Sequence, residues 1–320
     1  MLLCGILCIF LVSACSSSSD NGLDFNGIDE IEDIEDIEEP ANKLTGCADT
    51  DDCFSNPTLE IGTDRPAQVQ IPSDYTTTTR YPLIIVLHGF GASGAIQTGY
   101  FQLDARVDTQ QYILVAPDGT KTAAGDRFWN AFTDEDGEVD DVAYIRSLIE
   151  EAAATYSIDV GRIGLIGHSN GGFMALRMAC EASDLVTSVV SLAGSTFAEA
   201  ADCAPAEYPV SVLTLHGDAD GTILYGGGEN GDESYPGALE TIDRFAGLAG
   251  CDTANPTMPP NIDLIESLDG PETTVLAYSD CAEGVDVELW TLVDAPHIPF
   301  PWVPGALDSM VGWLIDHHRE

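Results

Sequence analysis

Two kinds of apolar pattern share this chain. Residues 82–87 are an unbroken apolar run of strand length, the pattern of a strand covered on both faces in a parallel sheet, and 210–215 is again a largely apolar strand. Residues 112–116, 163–166 and 187–192 also read as strands, and 67–71 adds an early edge strand before a polar turn at 74–80. Between the runs the spacing lengthens to that of a helix. Val142, Ile145, Leu148, Ile149 and Ala152 recur three and four apart and so share one helical face, with Asp140 or Asp141 standing where a cap belongs. Helices are also predicted over 95–109, over 173–180, from Pro236-Gly237 to Ala249 and over 306–317, with the glycine-rich 226–231 as a loop. Residues 273–278 and 287–292 alternate enough for the last strands. Strand and helix alternate throughout. This predicts an α/β fold, a mostly parallel central sheet with helices on both faces, in one domain over 46–320.

The first 45 residues follow different rules. Residues 2–12 are apolar but too few to span a bilayer as a mature helix, and they end in Leu11-Val12-Ser13-Ala14-Cys15, which resembles a bacterial lipobox. A lipoprotein-type signal over 1–15 is expected, with Cys15 as the lipid-bearing residue, although no Lys or Arg precedes the apolar run. Ser16 after the cysteine points to the outer membrane or cell surface. An ordinary cleaved signal gives a secreted or periplasmic protein instead. Over 16–45 the chain is acidic and low in complexity, with Ile28, Ile31, Ile34 and Ile37 at a non-helical interval of three, which predicts a disordered tether.

Charge narrows the partners. The chain carries 11 Lys+Arg against 54 Asp+Glu, a formal net of −43, and its only lysines are Lys43 and Lys121. Such a surface repels nucleic acid and anionic headgroups, which leaves the N-terminal lipid as the expected membrane contact and a monomer as the expected state. Its self-repulsion is screened by dissolved salt, so a salt-adapted protein is expected. Of nine cysteines, Cys4 and Cys8 leave with the signal and Cys15 takes lipid. The remaining six form an even set, which in an exported chain reads as disulfides; neighbour pairing is expected, Cys47–Cys53, Cys180–Cys203 and Cys251–Cys281. No C-x-x-C pair or suitably spaced histidine accompanies them, so no metal is expected.

The candidate chemistry centres on one turn. The apolar run 163–166 meets Gly167-His168-Ser169-Asn170-Gly171, and a helix-compatible segment follows. That is strand, sharp turn, helix, with a serine at the apex and glycines two residues either side, where a β-carbon would keep strand and helix apart. In such sheets the site lies at the carboxyl ends of the strands. The groups there are the His88-Gly89-Phe90 loop, Ser169, the Asp218/Asp220 pair and His297, in the order nucleophile, acid, base. Ser169 is the expected nucleophile and His297 its general base. Asp218 or Asp220 orients the imidazole, and the backbone N–H groups of Asn170 and Phe90 receive the oxyanion. The other histidines have duller readings: His88 and His216 hold loops, His168 fills the variable position of the turn, and His317 and His318 face solvent. Trp129 and Trp302 fall in loops where a bound ring could stack, and 299–304 shapes a wall of the cleft.

Taken together, His88-Gly89…Gly94, Ala116-Pro117-Asp118-Gly119, Trp129-Asn130, Asp140-Asp141-Val142, Gly167-His168-Ser169-Asn170-Gly171-Gly172, His216-Gly217…Asp220 and His297 resemble the polyhydroxybutyrate depolymerase / feruloyl and acetylxylan esterase group of secreted α/β-hydrolases. The resemblance covers about 58–305 and implies that Asp220 is the acid. It implies an exported serine esterase working through an acyl-enzyme without cofactor, first on polyester or oligoester, alternatively as a feruloyl or acetylxylan esterase on plant polysaccharide. A serine peptidase of the same fold and an inactive binding protein rank lower. The group commonly carries Gly-His-x-Trp-Pro-Gly at the histidine; Pro296-His297-Ile298-Pro299-Phe300 departs from it, which implies a rebuilt cleft wall.

Overall fold

A computed structural model of the chain describes residues 44–132, 139–203, 208–231, 233–282 and 284–319. The lipid site expected at Cys15 and the tether up to residue 43 lie outside these described residues. After a one-turn helix, α1 (Cys47–Thr50), come β1 (Glu60–Ile61), β2 (Ala67–Gln70) and β3 (Tyr81–Leu87). Then follow α2 (Gly94–Tyr100), α3 (Val107–Gln110) and β4 (Ile113–Ala116). A small hairpin of β5 (Thr120–Lys121) and β6 (Arg127–Phe128) precedes α4 (Asp141–Thr155) and the long β7 (Ile158–His168). Next are α5 (Asn170–Glu181), β8 (Ser188–Leu192), β9 (Ser211–Gly217) and a second hairpin, β10 (Gly227–Asn230) with β11 (Glu233–Pro236). The chain finishes through α6 (Ala238–Leu248), β12 (Asp252–Thr257), β13 (Thr273–Ser279), β14 (Val287–Leu292) and α7 (Ala306–Asp316).

The ten-stranded sheet runs β1-β2-β4-β3-β7-β8-β9-β14-β13-β12. From β4 to β14 neighbours are parallel, and both margins are antiparallel. The sheet is thus mostly parallel with helices on both faces, as the alternation predicts. Each residue of β3 is buried because one face meets the α4, α5 and α6 layer and the other meets α2, α3 and α7. Burying such a side chain stabilises the fold by about 1.5–3 kcal/mol, so the centre of the sheet is its firmest part. Where α7 crosses β7 there is no room for a β-carbon: one on Gly164 would sit 2.6 Å from Leu314.

Several expectations are corrected. The helix expected over 95–109 stops at Tyr100. Gln102 takes a left-handed φ of 48°, its N–H reaches the Gly99 carbonyl, and the Leu103 N–H reaches Thr98. That is a helix stop usually signalled by glycine, stabilised here by burial of Leu103. Residues 227–230 form a strand rather than a loop, pairing with 233–236. The edge strand expected at 67–71 is covered by β1. The opposite edge, β12, is exposed, carries Pro256 and has no apolar alternation to betray it. His317 is buried rather than solvent-facing, between the Trp313 carbonyl (2.6 Å) and Asp286 (2.9 Å). The three disulfides join neighbours in sequence, Cys47–Cys53, Cys180–Cys203 and Cys251–Cys281, as expected.

Candidate active site

Ser169 is the residue between β7 and α5, with φ 54° and ψ −122°. A non-glycine residue held there carries about 1–3 kcal/mol of strain, which the surrounding structure must impose. The imposing contacts are the flanking glycines. A β-carbon on Gly167 would lie 2.1 Å from the Gly171 carbonyl oxygen, and one on Gly171 would lie 2.2 Å from that of Leu87. Ser169 N–H donates to the Leu192 carbonyl at 2.9 Å, tying the turn to the end of β8.

The sheet register brings the expected acid, Asp220, and the expected base, His297, alongside. β9 and β14 are parallel neighbours with Gly217 opposite Leu292, so the loops that follow them emerge together. A β-carbon on Gly217 would lie 2.2 Å from the Ala295 carbonyl, which shows how closely these loops approach. His297 Nδ1 lies 2.7 Å from Asp220 Oδ2, and its Nε2 lies 3.0 Å from Ser169 Oγ. Facing a carboxylate, Nδ1 must donate, which leaves Nε2 free to accept the serine proton. Asp220 is buried and its Oδ1 accepts from the N–H groups of Thr222 (2.7 Å) and Ile223 (2.9 Å). Burial alone would raise its pKa. Hydrogen bonds from His216, His297 and Thr222 outweigh that and hold it well below the usual carboxylate range. Asp218 instead accepts the Asp294 N–H at 2.6 Å and holds the start of the histidine loop.

The expected oxyanion donors come from two braced places. Asn170 opens α5, so its N–H has no acceptor within the helix. Phe90 lies in a turn closed by Ala92 N–H on the Gly89 carbonyl (3.1 Å), and Gly91 N–H donates to the Arg127 carbonyl (2.8 Å). Next to it Gly89 packs beside Ser169: a β-carbon there would lie in contact with Ser169 Cβ, at 3.5 Å.

Trp129 supports this arrangement instead of offering a stacking face. It is 1% exposed, and its indole N–H donates to the His88 carbonyl at 3.0 Å. Its backbone N–H and carbonyl pair with the Asn170 side-chain amide at 2.7 and 2.9 Å. Trp302 is likewise buried, packed with Tyr100 and Ile265. Neither ring is free to stack on a ligand, because both are buried behind the loops. His88 does hold loops: its Nε2 accepts the Gly119 N–H at 2.9 Å, so Nδ1 carries the proton toward the Gly89 carbonyl. His216 donates to the Ile223 carbonyl at 2.8 Å and backs Asp220 at 3.5 Å.

Sequence patterning missed Arg65. Its guanidinium meets Asp141 at 2.6 Å and the Asp118 carbonyl at 3.0 Å, and lies 3.8 Å over the Tyr144 ring. Asp140 is the helix cap, accepting from Ala143 N–H, which frees Asp141 to accept from Asn130 N–H and fix the segment after Trp129. The doubled Asp140-Asp141 was the available signal: one residue caps a helix, so the other needs a partner. Tyr100 and His168 also touch the histidine loop, at Pro299 and His297. Among the described residues no cluster of His, Cys, Asp or Glu is arranged to hold a metal ion.

The comparisons with known proteins agree on the kind of molecule. The Esterase family model matches residues 58–209, a span that holds the Ser169 turn and ends before Asp220 and His297. Feruloyl esterase D of Neurospora crassa is 25% identical over 286 residues, covering 83% of this chain and 88% of that protein. A bifunctional acetylxylan esterase/xylanase of Neocallimastix patriciarum is 24% identical over 259 residues, 80% of this chain but 34% of its own length. An acetyl xylan esterase structure from Aspergillus awamori superposes with a TM-score of 0.62 at 15% identity, covering 81% of this chain and 98% of that one. The fold is that of an α/β-hydrolase. The chain resembles the feruloyl and acetylxylan esterase group of that fold.

Proposed function

We propose, from its likeness to the feruloyl and acetylxylan esterases, that this chain is a carboxylic ester hydrolase releasing feruloyl or acetyl groups from plant polysaccharide. The observation that carries this reading is the Ser169–His297–Asp220 contact chain of 3.0 and 2.7 Å at the carboxyl ends of β7, β14 and β9. Ser169 Oγ attacks the ester carbonyl while His297 Nε2 takes its proton. Asp220, ionised at neutral pH, stabilises the imidazolium. The N–H groups of Asn170 and Phe90 receive the developing oxyanion. His297 then returns the proton to the leaving alcohol, and a water deacylates the enzyme by the same route.

Polyester hydrolysis, the first expectation from sequence, has less support: the matched relatives cited above are named for feruloyl and acetylxylan esters. Exposed apolar side chains flank the reacting pair. Phe90, beside the oxyanion turn, is 61% exposed, and Ile298, next to the base, is 57% exposed. An aromatic acyl group has apolar surface to cover there, which favours feruloyl over acetyl.

Export belongs to the same proposal. Its supports are the apolar run 2–12 ending at Cys15 and the three disulfides, which persist in oxidising compartments. Among the described residues no helix is long and apolar enough to cross a membrane, so attachment would rest on lipid at Cys15.

The test is product release from methyl ferulate, an acetylated xylo-oligosaccharide and a hydroxybutyrate oligomer side by side, with Ser169→Ala as blank. Ferulate or acetate release that vanishes in the variant supports the proposal. Preference for the hydroxybutyrate oligomer would return the protein to the polyester reading, and release unaffected by Ser169→Ala would remove Ser169 as nucleophile.

A further inference from the structure

We infer that His168 and Tyr100 are positioning residues that lock the loop carrying His297 onto the turn carrying Ser169; this rests on the reading of Ser169 and His297 as a reacting pair. His168 is the last residue of β7, immediately before the serine. Its Nε2 lies 2.9 Å from the His297 backbone carbonyl, and a carbonyl can only accept, so Nε2 carries the proton. The two imidazole rings stand 4.9 Å apart, tilted by 42°. Tyr100, at the end of α2, donates its hydroxyl to the Pro299 carbonyl at 2.9 Å and packs its ring 5.6 Å from that of His168.

The two bonds grip alternate carbonyls of one loop. The side chains between and beyond them, Ile298 and Phe300, project outward, the latter 62% exposed. A loop that turns its apolar side chains to water gains little from packing, so its backbone bonds must set its position. The bonds at His297 and Pro299, nearest the base, come from β7 and α2, while Asp218 holds the loop's start and Glu266 N–H the Pro301 carbonyl; the loop itself leaves β14. Ser169 is thereby joined to His297 by a short path through His168, besides the long path through the sheet. Burial lowers the His168 pKa to about 4, so it stays a neutral donor and does not compete for the proton that His297 receives. The Tyr100 hydroxyl is buried as well, and its pKa is raised by that burial, which keeps it protonated as a donor.

A misplacement of about 1 Å between reacting groups costs roughly a hundredfold in rate, whereas substrate binding need not change. His168→Phe keeps a ring and deletes the donor; Tyr100→Phe removes a single oxygen. Both are assayed on the full chain by the labelling rate of Ser169 with a fluorophosphonate, and by kcat and KM on methyl ferulate. His168→Phe is expected to lower labelling and kcat by roughly a hundredfold, and Tyr100→Phe by about tenfold, with KM little changed in each. His168→Gln, which retains an N–H donor, should recover part of the loss. Unchanged labelling in folded His168→Phe overturns the inference, and if that variant does not fold, unchanged labelling in Tyr100→Phe overturns it equally. A wild-type chain that is not labelled at all would instead remove Ser169 as nucleophile and take this inference with it.

Discussion

Asp220 and His297 meet at 2.7 Å although they lie on loops that leave different strands, while Asp218, two residues before Asp220, accepts from the backbone N–H of Asp294. The pair therefore separates by role. Asp220→Asn should lower kcat by about ten-thousandfold, because an amide can leave the imidazole in the wrong tautomer. Asp218→Asn, whose side-chain oxygen can still accept from Asp294, should cost less than about tenfold. Steady-state kinetics of the two variants on one ester decide the matter; equal losses would refute the division.

The backbone at Ser169 is held at a left-handed φ that costs the fold stability. Ser169→Gly should abolish turnover and unfold at a higher denaturant concentration than Ser169→Ala, since only glycine is at ease with a φ of 54°. A difference of about 1 kcal/mol in urea unfolding is expected. Identical midpoints would mean that the turn carries no such strain.

The pairing of His317 with Asp286 makes stability depend on pH in a defined direction. Burial opposes the charge on His317, but its bonds to Asp286 and the Trp313 carbonyl prevail and its pKa is raised. The Asp286 pKa is lowered, chiefly by His317. The raised histidine contributes stability in full below its unfolded pKa of about 6.5 and loses it as pH rises through the folded value; the carboxylate contributes above its unfolded pKa of about 3.9 and loses it as pH falls through the folded one. Asp286→Asn should therefore cost most near pH 6 and little at pH 9. Because Asp286 is largely exposed, the cost should be only about 0.5–1 kcal/mol. Denaturant midpoints for both proteins at the two pH values give the answer, and a pH-independent difference would rule out the ion pair as its cause.

A net charge of −43 should leave the fold weakest where screening is poorest. The Debye length falls from about 30 Å at 0.01 M salt to about 3 Å at 1 M, so repulsion across the whole surface is relieved over that range. The melting temperature should climb by several degrees between those conditions, with sodium chloride as the salt. A flat response would set aside salt adaptation.

Much of this molecule was legible because its signals are local. An unbroken apolar run such as 82–87 has few uses outside a covered strand, and glycines two residues either side of Ser169 have a steric reason that survives inspection at 2.1 and 2.2 Å. What stayed hidden depends on residues far apart in sequence. Gln102 ends a helix because Leu103 has a core to enter, which no window around 95–109 contains. Asp218 and Asp220 differ only in what the loop from β14 brings to each. Trp129 reads as an available ring until His88 and Asn170 are seen to occupy its polar groups. His317 looked exposed from its place near the end of the chain, yet its partner Asp286 precedes β14.

The disulfide connectivity bears on how the chain acquires its covalent form. Each bridge joins cysteines adjacent in the order of synthesis among these six, with separations of 6, 23 and 30 residues. With Cys4, Cys8 and Cys15 removed or lipidated as the proposed export requires, a chain emerging N-terminus first presents each partner before the next pair arrives, so oxidation in order of appearance would yield the native set. Thiol–disulfide reshuffling, slow without an isomerase, is then unnecessary. The sheet can close around bonds that were correct when first made.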